Sequence, residues 1–141
     1  MATTTTTRGY LNNNPLNIRI SKTKPWKGEV RPSRDLEFAQ FREMAWGYRA
    51  AFKLLDNYRR LHSCVTLAHY ISRWAPPSEN NTKAYISFVA ERAEIDADTV
   101  LDTRDEMQMR KVVAAMSYIE NGIEADPEEV RNGWALFMEY L

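Results

Sequence analysis

TRDEMQMRKVVAAMSYIENG, residues 103–122, is the stretch on which the fold turns. Thr103 followed three positions later by Glu106 has the form of a capping box, in which a hydroxyl and a carboxylate satisfy free N–H groups at a helix start. Met109, Val112, Val113 and Met116 then recur at three- and four-residue spacing, which sets them on one face. Gly122 supplies the left-handed residue that closes a helix. The pattern predicts an amphipathic helix that delivers Glu120-Asn121-Gly122 at its end.

Working outward, the same periodicity recurs on both sides. Asp126-Pro127-Glu128-Glu129 is a second start signal with proline at the first helical position, and Val130, Trp134, Phe137 and Leu141 form its inner face. Upstream, Asn80 to Ala93 carries a stripe of Tyr85, Phe88 and Val89. A shorter helix from about Val65 to Trp74 is closed by Pro76-Pro77, with Ser78 or Asn80 available to cap the next one. From near Glu43, Trp46, Ala50, Leu54 and Tyr58 keep one helical face, widened by Ala51 and Leu55. Residues 9–35 are different: Gly9, Asn12-Asn13-Asn14-Pro15, Pro25, Gly28 and Pro32 favour loops. Leu16–Ile20 and Leu36–Phe41 alternate enough to pair as a small hairpin. The expected class is mainly α, with about five helices and a small irregular β lobe near the N-terminus. Residues 1–8, dominated by five threonines, form an expected disordered tail, and 9–141 one domain.

Charge narrows the function. The net charge is zero, which on composition argues against a nucleic-acid partner. The distribution is uneven, with six bases and one acid between Arg19 and Arg34, and thirteen acids against five bases from Glu91 onward. One cysteine, Cys64, excludes an internal disulfide. No apolar run approaches the roughly 20 residues of a membrane helix, and no signal peptide is recognisable. The expectation is a protein made in a bacterial cytoplasm, without a membrane partner. His62, Cys64 and His69 match no closed zinc pattern, so neither metal nor cofactor is expected.

Three segments can carry chemistry. Asn12 to Arg19 holds four asparagines in six positions, either a turn-rich loop or a set of amides for a polar ligand. Trp26 follows, as an aromatic plate beside such donors or as a core anchor. Arg73-Trp74-Ala75-Pro76-Pro77-Ser78-Glu79-Asn80 makes a rigid corner, which either only joins two helices or presents Glu79 and Asn80 to a cleft. Glu120 lies at the negative end of a helix dipole among apolar neighbours, two influences that keep a carboxyl protonated. A protonated carboxyl is what a general acid for glycosidic cleavage needs, although any surface helix end can also carry a glutamate.

Taken in order, Asn12 to Arg19, Trp26-x-Gly28, Phe38-x-x-Phe41, Gly47-x-Arg49-Ala50, Arg73 to Pro77, Glu79 to Thr82 and Glu120-Asn121-Gly122 resemble a family of small phage and prophage proteins, often described only as virion proteins. The resemblance covers roughly residues 8–122. The layout is also similar to β-N-acetylglucosaminidase and lytic transglycosylase domains of the lysozyme-like fold, with the glutamate-bearing helix moved from the front to the rear, as in a circular permutation. The resemblance implies a peptidoglycan-cleaving glycosidase or lytic transglycosylase acting in the phage particle or at the cell wall, or a non-catalytic virion or glycan-binding module that keeps the fold. It implies Glu120 as general acid, with Glu79, Asp35 or Glu37 as a second carboxylate. Asn13, Asn14, Asn17, Arg19, Trp26, Arg73, Trp74 and Asn80 would contact the glycan strand, and other virion proteins would be further partners. Leu16 stands where the family commonly has glycine, and Ile123-Glu124 departs from its usual polar-aromatic pattern.

Overall fold

A computed structural model of the chain describes residues 6–141. The elements are α1 (Arg8–Leu11), β1 (Glu29–Val30), β2 (Gln40–Phe41), α2 (Met44–His62), α3 (Leu67–Trp74), α4 (Thr82–Ala93), α5 (Glu106–Asn121) and α6 (Pro127–Glu139). The protein is mainly α-helical, with a small antiparallel sheet near its N-terminus, as the periodicity predicts.

α2 is the central helix. Its buried residues Met44, Tyr48, Ala51, Phe52 and Leu55 follow the three-four spacing of an amphipathic helix. They pack on α6, where Phe52 meets Trp134 edge-on at 5.0 Å and lies 6.1 Å from Phe137. Of the expected face, Ala50, Ala51 and Leu55 are buried, while Trp46, Leu54 and Tyr58 are only half-buried. Those larger side chains lie beside the main core, because α6 covers the adjacent stripe instead. α5 buries Met109, Val112, Val113 and Met116 as its pattern requires. On α4, Tyr85 and Val89 are buried while Phe88 stacks on Tyr118 of α5 at 5.6 Å. Leu141 lies beyond the end of α6 and is exposed rather than on its inner face.

Several helix boundaries differ from expectation for local reasons. Asp105, not Thr103, caps α5, its carboxylate accepting from the Gln108 N–H. Thr103 is buried and donates its hydroxyl to Asp56 at 2.8 Å. Asp56 is fully enclosed at the side chain and faces Arg59, Arg60 and Arg104. Burial pushes its carboxyl up, but the hydrogen bonds from Arg104, Thr103 and Arg59 outweigh burial and hold it at about 2. Asn81, rather than Ser78 or Asn80, caps α4. Gly122 ends α5 at φ +67, in the left-handed region that favours glycine.

The small lobe is more interlaced than one hairpin. Ile18 and Ile20 do pair with Ala39 and Glu37 through main-chain bonds of 2.9 Å, and Arg19 bridges to Phe38. The two-stranded sheet, however, is β1 with β2, registering Glu29 with Phe41 and Val30 with Gln40. Of the expected tail, residues 1–5 lie outside the described residues. Thr7 and Arg8 belong instead to the folded body, where Thr7 caps α1 and Arg8 forms a two-pronged ion pair with Asp35 at 2.6 and 2.7 Å.

Candidate functional site

The site begins with the end of α5. Asn121, in the last turn, is buried and makes three bonds: its amide donates to the carbonyls of Pro15 at 2.8 Å and Ser117 at 3.0 Å, and its oxygen accepts from the Thr7 hydroxyl at 2.7 Å. Gly9 passes directly against this amide, where a Cβ would strike the Asn121 Oδ1. The first loop of the chain is thereby fastened to the end of α5. One consequence is that Asn17, at φ +54, meets Glu120, its amide lying 3.5 Å from Oε1, the long limit of a hydrogen bond.

The other oxygen of Glu120 accepts from the Tyr85 hydroxyl at 3.1 Å. That hydroxyl itself accepts from Trp74 Nε1 at 3.1 Å, so its own proton is directed at the carboxylate. Three elements, α3, α4 and α5, therefore converge on one carboxyl. Burial raises its pKa, while the hydrogen bonds from Tyr85 and Asn17 act in the opposite direction and do not cancel the rise. Burial and the coulombic effect of Glu120 push the Tyr85 phenol far up, so it stays a neutral donor at any ordinary pH.

Glu120 opens on a cleft of about 670 Å3. Asn17, Arg19 and Trp26 from the small lobe form one wall, and Trp74, Glu79 and Asn80 from the α3–α4 corner form the other. Leu54, Tyr58 and Phe38 complete it, which explains why the outer face of α2 is only half-buried. A second cavity of about 480 Å3, lined by Asn80, Tyr85, Phe88 and Ile119, also reaches Glu120. The carboxyl thus stands where two depressions meet.

Not every residue singled out in the sequence joins this cleft. Asn14 is fully buried and binds the Ile18 N–H and the carbonyls of Ile18 and Ala39, which makes it the frame of the small lobe. Asn13 donates to the carbonyls of Phe41 and Arg42. Arg73 is exposed, lying over the Tyr58 ring and 3.1 Å from His62. Asp35 receives Arg8, the N–H groups of Glu37 and Phe38 and the Asn12 amide, which hold its carboxyl far below the ordinary range. Glu37 is lowered by Arg19 and Arg8. Neither lines the cleft, so Glu79 is the second carboxylate that does. Sequence reasoning missed Tyr85, Asn121, Leu54 and Tyr58, because a half-buried aromatic or a buried amide at helical spacing has the same pattern as core. Among the described residues no group of three or more His, Cys, Asp and Glu side chains is placed to hold a metal, and no helix is long and apolar enough to cross a membrane.

Fold and site together define a mainly helical protein with a small N-terminal lobe and a carboxyl-centred cleft between them. No protein-family model matches the chain. It is 35% identical to Protein P5 of Pseudoalteromonas phage PM2 over 132 residues, which cover 90% of this chain and 79% of that protein. The chain belongs to the family of that phage protein.

Proposed function

We propose that this phage-related protein is a peptidoglycan-cleaving glycosidase or lytic transglycosylase of lysozyme-like type, with Glu120 as its general acid and the glycan strand as its substrate. The observation that carries the reading is the half-buried Glu120 carboxyl, its pKa raised, at the meeting of two cavities that can seat sugars on either side of a scissile bond. A protonated Glu120 delivers its proton to the glycosidic oxygen as the bond from C1 to that oxygen breaks, leaving positive charge on the sugar ring. In the transglycosylase variant the substrate's own 6-hydroxyl then bonds to C1, and its proton returns to the Glu120 carboxylate. Glu79, the other carboxylate of the cleft, is the candidate for positioning water in a hydrolase. Trp26 and Trp74 offer apolar plates to sugar rings, and Asn17, Arg19 and Asn80 offer polar donors. The particle or the cell wall would be the place of action.

The Tyr85 hydrogen bond favours the ionised form of Glu120, and this observation supports a second reading, a virion module that binds glycan or another virion protein without cleaving. One experiment separates the two. Purified protein is expected to clear a suspension of bacterial cell walls, and Glu120→Gln to slow this by about 100-fold or more, the contribution of a general acid. Clearing by that variant at the wild-type rate would sink the catalytic assignment. Binding of walls by the wild type with no release of reducing ends or anhydro sugars would establish the second reading.

A further inference from the structure

A third cavity, of about 440 Å3, adjoins the main cleft and shares Ser21 and Trp26 with it. Its wall carries Lys24, Lys27, Arg49 and Lys53 and no acidic side chain. Lysines on a surface would mean little by themselves. Arg49 is of another kind, because it is 4% exposed and sits on the central helix α2. One of its terminal nitrogens donates to the Tyr140 carbonyl at 2.7 Å, while its Nε has no hydrogen-bond partner. Burial lowers its pKa, with no carboxylate to oppose the shift.

The same helix shows what a satisfied cationic cluster looks like. Three turns further on, Arg59 and Arg60 share the buried Asp56 with Arg104. Among the described residues none of the four cations of the third cavity is paired with an Asp or Glu. Lys53 donates to the main-chain oxygen of Leu141 at 3.0 Å, and Lys27 lies 5.2 Å over the Tyr140 ring. A desolvated guanidinium without a carboxylate partner, in a cavity wall that it shares with three ammonium groups, is a receptor for an anionic oxygen.

We propose that this cavity is a carboxylate-binding subsite continuous with the Glu120 cleft. It takes the acidic groups of the short peptides that a peptidoglycan strand carries, while the sugar backbone lies past Trp26 toward Glu120. The inference rests on the glycan-cleaving reading of the cleft, and it adds to that reading a requirement for peptide-bearing rather than bare glycan. Arg49 and Lys53 hold the anion from α2, and Lys24 and Lys27 from the small lobe, so that lobe and helix close on the same ligand.

The test uses full-chain protein carrying Glu120→Gln to prevent turnover, and calorimetric titration with two probes. One probe is a soluble peptidoglycan tetrasaccharide with free peptide carboxylates, and the other is the same fragment with those carboxylates amidated. The acidic fragment is expected to bind about tenfold more tightly, the size of one charge-assisted hydrogen bond. Adding Lys24→Gln with Lys27→Gln, at exposed positions, should cut this preference to about threefold or less, and Lys53→Gln should act in the same direction. Equal affinity for the two probes overturns the subsite and leaves the Glu120 reading standing. Failure of both probes to bind, or salt-sensitive binding of a short DNA duplex in their place, overturns both.

Discussion

Glu120 stands under opposed influences. Burial favours the neutral acid, and so does its place in the last turn of α5, while donors from Tyr85 and Asn17 favour the anion. The Tyr85→Phe variant removes the stronger donor with little change of shape. The Glu120 titration, followed by NMR of its side-chain carboxyl, is expected to move upward, since a hydrogen bond that favours the charged form is lost. A downward move would show that Tyr85 acts on the neutral form instead. The raised pKa also bears on stability. Free glutamate titrates near about 4.3, so between that value and the higher folded one the folded chain binds more protons than the unfolded chain. Stability from this group therefore falls as pH rises through that window. Glu120→Gln should lose less stability than the wild type as pH rises above the free-glutamate value in thermal unfolding. Identical profiles would mean that the carboxyl is not strained by its surroundings.

At the scale of the element, the start of α5 shows how a local signal is reassigned. Asp102, Thr103 and Asp105 are all competent capping residues, and the sequence pattern selects Thr103 with Glu106. In the folded chain Asp56 takes the Thr103 hydroxyl and the cap falls to Asp105. Asp105→Ala is accordingly expected to cost about 1 kcal/mol in denaturant unfolding. No measurable change would return the cap to Thr103. The five longer helices were legible, because the spacing of apolar residues in α2, α4, α5 and α6 reports each helix independently of its neighbours, whereas the single turn of α1 is too short to carry a period and read as tail and loop. Which flank of α2 faces the core was not legible. Leu54 and Tyr58 extend its apolar surface as well as Phe52 and Leu55 do, and only the position of α6 decides between them.

On the scale of the whole molecule, the cleft exists because the first loop and the last turn of α5 are tied through Asn121. Its amide and oxygen bind Pro15, Ser117 and Thr7, segments that lie at opposite ends of the chain. Asn121→Ala leaves these groups unsatisfied and is expected to cost about 2 kcal/mol. Hydrogen exchange at the Asn14 and Ile18 amides should quicken by roughly 30-fold, with the amides of α2 and α6 unaffected, if the lobe opens as a separate unit. Uniform acceleration over the whole protein would show that the lobe and the helices unfold together instead. The same tie accounts for the partial legibility of the site. Glu120, Asn17, Trp26 and Trp74 stood out as residues suited to a polar ligand and do line one cleft, whereas Asn13 and Asn14, of the same chemistry and in the same run, are consumed by the backbone around them.

By itself the sequence determined the five longer helices, the position of the small lobe, the glycine that ends α5 and the presence of a glutamate beside it, since each depends on side-chain spacing and backbone preference within about twenty residues. The tertiary structure alone decided that Tyr85 and Asn17 hold that glutamate, that Asp35 and Glu37 are spent on arginines, and that Arg49 is left without an acid. Those outcomes depend on which distant groups reach a buried atom first, and hydrogen bonding and desolvation are settled by proximity in space rather than order along the chain.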